Sequence, residues 1–375
     1  MDQPWKASSK LSELLESSKM HMTYADRVIW IDLLARTRGT QSAEMYFNGL
    51  QESDKTREAY GVLLHCYCRA KKLDKALELF GKMKELDYTS TWGYNSLASL
   101  FLGTMPEQIP LLVQEMEQKK LNADIATYDL LILSYGAQKD FGACEKVLED
   151  MQKKDVKCEW TIYASLAAIY AYAGIHSKAA EFIHKMEMEN ACDRNYFHNL
   201  LGLYKDMKDV SGVYRTWNAL KSIFPIPNND DYLLMMCILS ELSSLENLET
   251  WFKSWESGQF FEYDVRITNV VLEAYLLRDM IQKAKAFYKS MVAKGYDPNL
   301  RTMELLTRIY MKNYQIKPAL KYLEMGSAMV TREQDQWFPQ PETIKIFLEY
   351  FEGREDWDRA EKFCNILKKL KKIPS

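Results

Sequence analysis

The fold is decided by residues 265–299, which read VRITNVVLEAYLLRDMIQKAKAFYKSMVAKGYDPN. The first half carries an apolar stripe at the spacing i, i+3, i+4 and i+7, which is typical of a helix: Thr268, Val271, Leu272 and Tyr275. The second half carries another stripe of this kind: Ala284, Phe287, Tyr288 and Met291. The closing KGYDPN contains a glycine and a proline that end a helix. The stretch therefore predicts a unit of helix, short turn, helix and loop.

The same unit returns along the whole chain, as one aromatic position indicates. That position recurs at intervals of 34 to 40 residues and is occupied by Tyr67, Phe101, Tyr135, Tyr170, Tyr204, Leu239, Tyr275, Tyr310 and Tyr350. A period of about 20 to 50 residues marks a solenoid, in which each unit buries its apolar face against its neighbours. We therefore predict an all-α, right-handed solenoid of about ten helix-turn-helix units with these aromatic residues in its core.

The period also gives the domain organisation. Units are expected to start near residues 22, 57, 91, 125, 160, 194, 229, 265, 300 and 340. Residues 1–21 then form an N-terminal extension, and 22–375 form the repeat array. The polar segment 329–339, with Trp337 and Phe338, stretches the unit that starts at Leu300. It is either a contact site or a long linker, and we favour the linker.

Composition limits the classes of function. The chain has 375 residues, 47% of them hydrophobic, a net charge of −3 and seven scattered cysteines without a CxxC pair. No zinc spacing, HExxH pair or phosphate-binding glycine motif is present, so we expect no metal, no cofactor and no enzymatic activity. No apolar run is long enough to span a membrane. We expect free or buried thiols and a reducing compartment.

The first twenty residues do not have the pattern of a targeting segment. They contain three lysines, three acidic residues and no arginine, whereas transit peptides are rich in arginine and poor in acidic residues. We therefore expect either a cytoplasmic protein or a sequence that lacks its import segment.

The repeat type is indicated by the residues around the recurring tyrosine. The opening W-x2-L-G-x2-Y of tetratricopeptide units is missing, and HEAT and armadillo units are longer, at about 40–47 residues. Instead the chain resembles the pentatricopeptide repeat (PPR) family over roughly residues 22–374. The segments that carry the resemblance are TWGYNSL (91–97), YGVLLHCYCRA (60–70), KALELFGKM (75–83) and MVAKGYDPN (291–299). Their uniform length resembles the P-type branch of plants.

This resemblance implies an RNA-binding α-solenoid located in mitochondria or chloroplasts. Members of the family act in transcript processing, stability or translation, and some belong to the mitochondrial ribosome. The implied partners are single-stranded RNA, either a transcript or rRNA, and ribosomal or other RNA-processing proteins. The implied localisation is mitochondrial, with chloroplast or cytoplasm as the alternatives.

The family reads one base per unit. A second recurring position lies seven residues before the first one and includes Tyr60, Tyr94 and Tyr128. The resemblance assigns base reading to the residue directly after this second position and to the last residue of the unit. Asn95 with Asp124 matches the pair associated with uracil, and Asn269 with Asn299 the pair associated with cytosine. Two further pairs are polar without a recognised preference: Asp129 with Glu159, and His198 with Asn228. The other units carry unsuited residues, namely Gly61, Ala164, Leu233, Glu304 and Ile344.

Two functions remain open at this point. Family resemblance and the asparagine pairs favour RNA reading, with both asparagines at an exposed groove edge. The negative net charge and the poor match to the code favour a protein-binding scaffold, such as a ribosome-associated protein. A basic stripe along the first helices would favour RNA. The lysine-rich segment 368–372 either touches phosphates or only complements a helix dipole.

Overall fold

The structure, a computed structural model, describes residues 23–242, 245–258, 263–330 and 337–371. Within these ranges it consists of twenty α-helices and two short 3-10 turns, without a β-strand. The chain forms two compact units, which meet in sequence between Tyr196 and Phe197. The expected N-terminal extension, residues 1–21, lies outside the described residues.

The helices follow one another in pairs, and the odd-numbered helix comes first in each pair. The first compact unit contains α1 (Tyr24–Thr37), α2 (Thr40–Asn48), α3 (Arg57–Arg69), α4 (Leu73–Glu85), α5 (Thr91–Leu102), α6 (Ile109–Gln118), α7 (Ile125–Ala137), α8 (Phe141–Lys153), α9 (Trp160–Tyr172) and α10 (His176–Met188). The division falls inside α11 (Arg194–Asp206). The second unit continues with α12 (Val210–Ile223), α13 (Asn229–Leu242), α14 (Leu245–Glu256), α15 (Val265–Leu277), α16 (Ile281–Ala293), α17 (Leu300–Lys312), α18 (Ile316–Met329), α19 (Pro341–Phe351) and α20 (Trp357–Lys371). The predicted all-α architecture of helix pairs is confirmed.

The recurring tyrosine marks the turn between paired helices. The backbone N–H of Ile175, five residues after Tyr170, donates to the Tyr170 carbonyl over 2.9 Å, and Gly174 between them has a φ of 76°. This is the Schellman motif that ends a helix. The same bond, at 2.9–3.0 Å, is accepted by the carbonyls of Tyr67, Tyr135, Tyr204, Tyr275 and Tyr310. The period thus records turn geometry as well as core packing.

Small residues on the second helices allow the paired helices to approach each other closely. Five of them are completely buried: Ala76, Cys144, Ala179, Ala284 and Ala319. Large side chains fill the space beside them, and Phe80, Trp217, Phe252 and Phe363 are each at most 5% exposed. Successive first helices also pack on one another, as α3, α5, α7 and α9 do in the first unit. The core interpretation of the recurring position is confirmed for the members that are at most 7% exposed, namely Tyr67, Phe101, Tyr170, Tyr204, Leu239 and Tyr275. The other members are only partly buried: Tyr135, Tyr310 and Tyr350.

The hydroxyl of the recurring tyrosine links neighbouring helix pairs. Tyr170 on α9 donates to Glu145 Oε1 on α8 over 3.0 Å, and Lys178 on α10 lies 3.0 Å from the same carboxylate oxygen. The same three-residue arrangement recurs in the second unit, in Tyr275, Glu249 and Lys283. Because Tyr170 is only 3% exposed, its hydroxyl depends on this carboxylate as a hydrogen-bond partner.

Replacing Tyr170 by phenylalanine is expected to lower the free energy of unfolding by about 1 kcal/mol, the net value of one hydrogen bond. Tyr172→Phe on the same helix is the matched control, because Tyr172 is 93% exposed. Urea denaturation of both variants measures the difference. Equal stability of the two variants would contradict the proposed link between helix pairs.

The described residues contain no disulfide bond, no metal site and no membrane-spanning helix. All seven cysteines are free thiols, and burial raises the pKa of Cys66 to about 11. Across the described ranges, no cluster of three or more His, Cys, Asp or Glu side chains is arranged to hold a metal ion. None of the helices described is both long and apolar enough to cross a membrane.

Two sequence features lie partly outside the described residues. Residues 331–336 of the polar insert are outside, whereas Trp337 packs against α18, where a Cβ on Gly326 would lie 3.0 Å from its ring. In the lysine-rich segment, Lys368 and Lys369 lie on α20, but the Lys371 side chain and Lys372 are not described. Whether either segment contacts a partner stays a prediction.

Candidate nucleic-acid interface

Asn95 is held in place by the start of the next first helix. Its neighbour Tyr94 is 1% exposed and anchors this turn of α5 in the core. The Asn95 Nδ2 donates to Asp124 Oδ1 over 2.9 Å, and the Thr127 hydroxyl lies 2.8 Å from Asn95 Oδ1. Asp124 is the N-cap of α7 and accepts the backbone N–H of Thr127 over 2.9 Å. The predicted pair Asn95 and Asp124 is therefore brought together, with Thr127 as a third member.

The charge on Asp124 is stabilised by these contacts. Partial burial raises its pKa, but hydrogen bonds from the Thr127 N–H, the Asn95 amide and the Thr127 hydroxyl outweigh this effect and lower it overall. A carboxylate that accepts several hydrogen bonds is stabilised in its charged form. Asp124 is thus an anion that acts as a fixed acceptor for Asn95.

The second asparagine pair has the same geometry. Asn269 Nδ2 donates to Asn299 Oδ1 over 3.0 Å, and the Thr302 hydroxyl lies 2.8 Å from Asn269 Oδ1. Asn299 caps α17 and accepts the Thr302 N–H over 3.0 Å. The expectation that both asparagines lie at an exposed edge is wrong for Asn269, which is 6% exposed. Asn95, by contrast, is only partly buried, although α7 packs on α5 as α17 packs on α15.

The two other polar pairs are not joined in this way. The Asp129 Oδ1 is buried without a hydrogen-bond partner, and burial raises the pKa of this carboxyl group despite an interaction with Ser165. Glu159 is exposed and makes no capping bond. Their role as a reading pair stays a prediction.

His198 has a partner other than the one that the sequence suggested. Its Nε2 lies 2.7 Å from Asp231 Oδ1, whereas the Asn228 side chain caps α13 by accepting the Asp231 N–H over 2.9 Å. Asp231 is completely buried, so it can fix the orientation of the half-buried histidine ring. Base contact by His198 and Asn228 likewise stays a prediction.

Trp92 is a further candidate that the sequence reasoning missed. It is 45% exposed, and its ring stacks on His65 with centroids 5.3 Å apart and planes 30° apart. Both rings line a cavity of about 440 Å³ that Asn95 and Asp129 also line. Position 92 lies three residues before Asn95, so helical spacing alone could have placed the two on one face.

The first helices do not carry a basic stripe. From α3 to α17 they contain eight Lys or Arg and eight Asp or Glu residues. Three successive first helices, α5, α7 and α9, contain no Lys or Arg at all. Arg69, which lines the cavity beside Trp92, lies 3.0 Å from Asp32. Phosphate contacts on this part of the first-helix face would therefore lack cationic side chains.

Comparison with known proteins identifies the repeat. The family model described as PPR repeat matches residues 58–88, and the one described as pentatricopeptide repeat domain matches residues 111–157. A mitochondrial pentatricopeptide repeat-containing protein of Arabidopsis thaliana is 34% identical over 377 aligned residues, covering 100% of this chain and 74% of that protein. The chain belongs to the pentatricopeptide repeat family. The P-type branch stays an implication of unit length.

Two further proteins are similar to this PPR chain, one in sequence and one in structure. The large ribosomal subunit protein mL101 of Arabidopsis thaliana is 35% identical over 363 residues, covering 96% of this chain and 74% of that protein. Among solved structures, the crystal structure of the PPR protein PPR10 from maize has a TM-score of 0.53 and 16% identity, covering 88% of this chain and 47% of that one. This structural likeness establishes the fold alone.

Proposed function

We propose that this PPR chain binds single-stranded RNA on its first helices and reads bases with the asparagines of its two matched units. The observation that carries the proposal is the Asn95 amide, which Asp124 and Thr127 hold at 2.9 and 2.8 Å beside the Trp92 cavity. A recognition group fixed before binding loses little conformational entropy when it binds.

The free half of the Asn95 amide supplies the base contact. An amide has two N–H donors and a carbonyl oxygen with two lone pairs. Asp124 takes one donor and Thr127 occupies one lone pair, which leaves one donor and one acceptor for a base edge. Bases in single-stranded RNA are recognised on such edges and stack on aromatic rings. The half-exposed Trp92 is the stacking partner in this proposal.

The remaining candidates contribute less. Asn269 has the same hydrogen-bonded geometry with Asn299, but it is more buried than Asn95 and offers less surface to a base. By family pairing, Asn95 with Asp124 selects uracil and Asn269 with Asn299 selects cytosine. Asp129 with Glu159 and His198 with Asn228 act as polar contacts without strong preference. The protein has no catalytic role in this proposal, and it acts in mitochondrial transcript processing, stability or translation.

A second candidate function has its own support. The absence of Lys and Arg from α5, α7 and α9 disfavours a long track of phosphate contacts. Similarity to the ribosomal protein mL101 gives a concrete alternative. In this alternative, the chain is a component of the mitochondrial ribosome that recognises the shape of rRNA and reads few bases.

Co-purification separates the two functions. The tagged full-length protein is expressed in plant mitochondria, cross-linked, and its bound RNA and proteins are identified. RNA reading predicts one or a few defined transcripts with uracil at a fixed cross-linked position. Recovery of rRNA with the complete set of large-subunit proteins would instead establish the ribosomal function. Recovery of no RNA would contradict both.

A further inference from the structure

A hydrogen bond between successive helix pairs recurs at four places in the described part of the chain. The fifth residue of a first helix bonds to the third residue of the next first helix. The pairs are Asn95 with Thr127, His198 with Asp231, Asn269 with Thr302, and Glu304 with Thr343. The third-position side chains are at most 2% exposed. They therefore cannot touch an RNA directly, but Thr127, Asp231 and Thr302 each contact a residue of a proposed reading pair.

The direction of the bonds in the asparagine units is fixed by helix capping. The backbone N–H of Thr302 can only donate, so it orients the Asn299 Oδ1 toward the helix start over 3.0 Å. The Asn269 Nδ2 must then face this oxygen, which places the Asn269 Oδ1 against the Thr302 hydroxyl. In the other unit, the N–H of Thr127 orients Asp124 and thereby Asn95 in the same way.

The threonine hydroxyl completes the arrangement. Thr127 Oγ1 accepts the backbone N–H of Asp124 over 3.2 Å and shares its own hydrogen between Asn95 Oδ1 at 2.8 Å and Asp124 Oδ1 at 2.9 Å. A hydrogen bond of this kind restrains the side-chain amide on its carbonyl side. Without it, Asp124 alone would hold Asn95.

Asp129 illustrates what happens when the third residue cannot bond. The third residue of α9, the next first helix, is Ile162, which is completely buried and has no polar side-chain atom. The Asp129 Oδ1 is buried without a partner. Polar side chains at the fifth position are thus satisfied where the following helix supplies a polar third residue.

We propose that the third residue of the following first helix is a positioning residue for base reading. Thr127 and Thr302 determine which amide edge Asn95 and Asn269 present to a base. This inference rests on the proposed RNA reading and adds a third position, from the next unit, to the two that define each reading pair.

The test compares threonine variants on one RNA. The probe is a 20-nucleotide single-stranded RNA selected by the wild-type protein from a random pool, together with its three variants at the base that Asn95 reads. Thr127→Val removes the hydroxyl at nearly constant volume and is expected to reduce discrimination among the four bases about fivefold, the size of one net hydrogen bond. Thr127→Ser restores the hydroxyl and is expected to restore discrimination.

Thr343→Val is the matched control. Thr343 is also a buried third residue, but its hydroxyl bonds Glu304, which belongs to no reading pair. This variant is expected to lose stability without losing discrimination. All proteins are compared at a temperature where circular dichroism indicates full folding. If Thr127→Val does not fold, Thr302→Val replaces it, with RNAs varied at the base that Asn269 reads.

Two outcomes overturn the inference and can be told apart. If the wild type discriminates among bases and Thr127→Val does so equally well, the threonine is only structural and the RNA-reading proposal stands. If the wild type selects no sequence from the pool, RNA reading fails and the inference fails with it.

Discussion

Replacing Trp217 by alanine is expected to lower the free energy of unfolding by about 3–5 kcal/mol, the usual range for a large aromatic residue removed from a core. Trp217 is 2% exposed on α12, and its ring contacts Trp251 on α14 and Tyr232 on α13 at centroid distances of 5.0 and 5.5 Å. Because the contacts join neighbouring helix pairs, the cavity would weaken the interface as well as the unit. Stacking interfaces supply much of the stability of a repeat array.

Trp357→Ala is the control for this experiment. Trp357 is 75% exposed, so its removal is expected to change stability by less than about 0.5 kcal/mol. Urea denaturation followed by circular dichroism measures both variants. Similar stability losses at Trp217 and Trp357 would contradict the packing described for α12 to α14.

Replacing Asn95 by alanine is expected to weaken binding of the preferred RNA by about 1–3 kcal/mol, by analogy with the loss of a base-edge contact. The loss should depend on the base at one position, because the amide contacts a base and not the backbone. The salt dependence should stay almost unchanged, since no phosphate contact is removed. Gln118→Ala, which removes an exposed amide side chain from the paired helix α6 away from this cavity, is the matched control.

The Asn269→Ala variant is expected to change stability as well as RNA binding. Asn269 is buried, and its removal takes away a hydrogen-bond partner of the Thr302 hydroxyl. A stability loss is therefore expected together with any loss of binding.

Neutralising Lys368 and Lys369 should act differently from replacing an asparagine. If these lysines touch phosphates, all RNAs should bind more weakly and the salt dependence should flatten. Titrations against RNAs varied one base at a time separate these effects.

Most of the fold could be predicted from local pattern. The apolar stripes depend only on helical spacing. The turn at Gly295 depends only on backbone conformation, because its φ of 81° favours glycine. The pairing of Asn95 with Asp124 followed from family resemblance, and the structure gives it a distance of 2.9 Å.

The side-chain contacts of the candidate site could not be predicted, because they depend on how one helix pair packs on the next. The burial of Asn269, the contact of Thr127 with Asn95 across 32 residues and the unpartnered oxygen of Asp129 are all set at such junctions. A repeat period gives the unit but not the side-chain contacts between units. His198 is the clearest example of a contact that the period does not predict, because its hydrogen-bond partner is Asp231 and not the last residue of its own unit.

The central claim is that the asparagine units read bases, and selection from a random pool of single-stranded RNA tests it most directly. Asn95 and Asn269 lie five helix pairs apart, on α5 and α15. If one base is bound per unit, the selected RNAs should share a uracil and a cytosine separated by four unconstrained nucleotides. Selection with Asn95→Ala should lose the uracil and keep the cytosine. A wild-type protein that leaves the pool unenriched, or an Asn95→Ala variant that selects the same sequences, would contradict the claim.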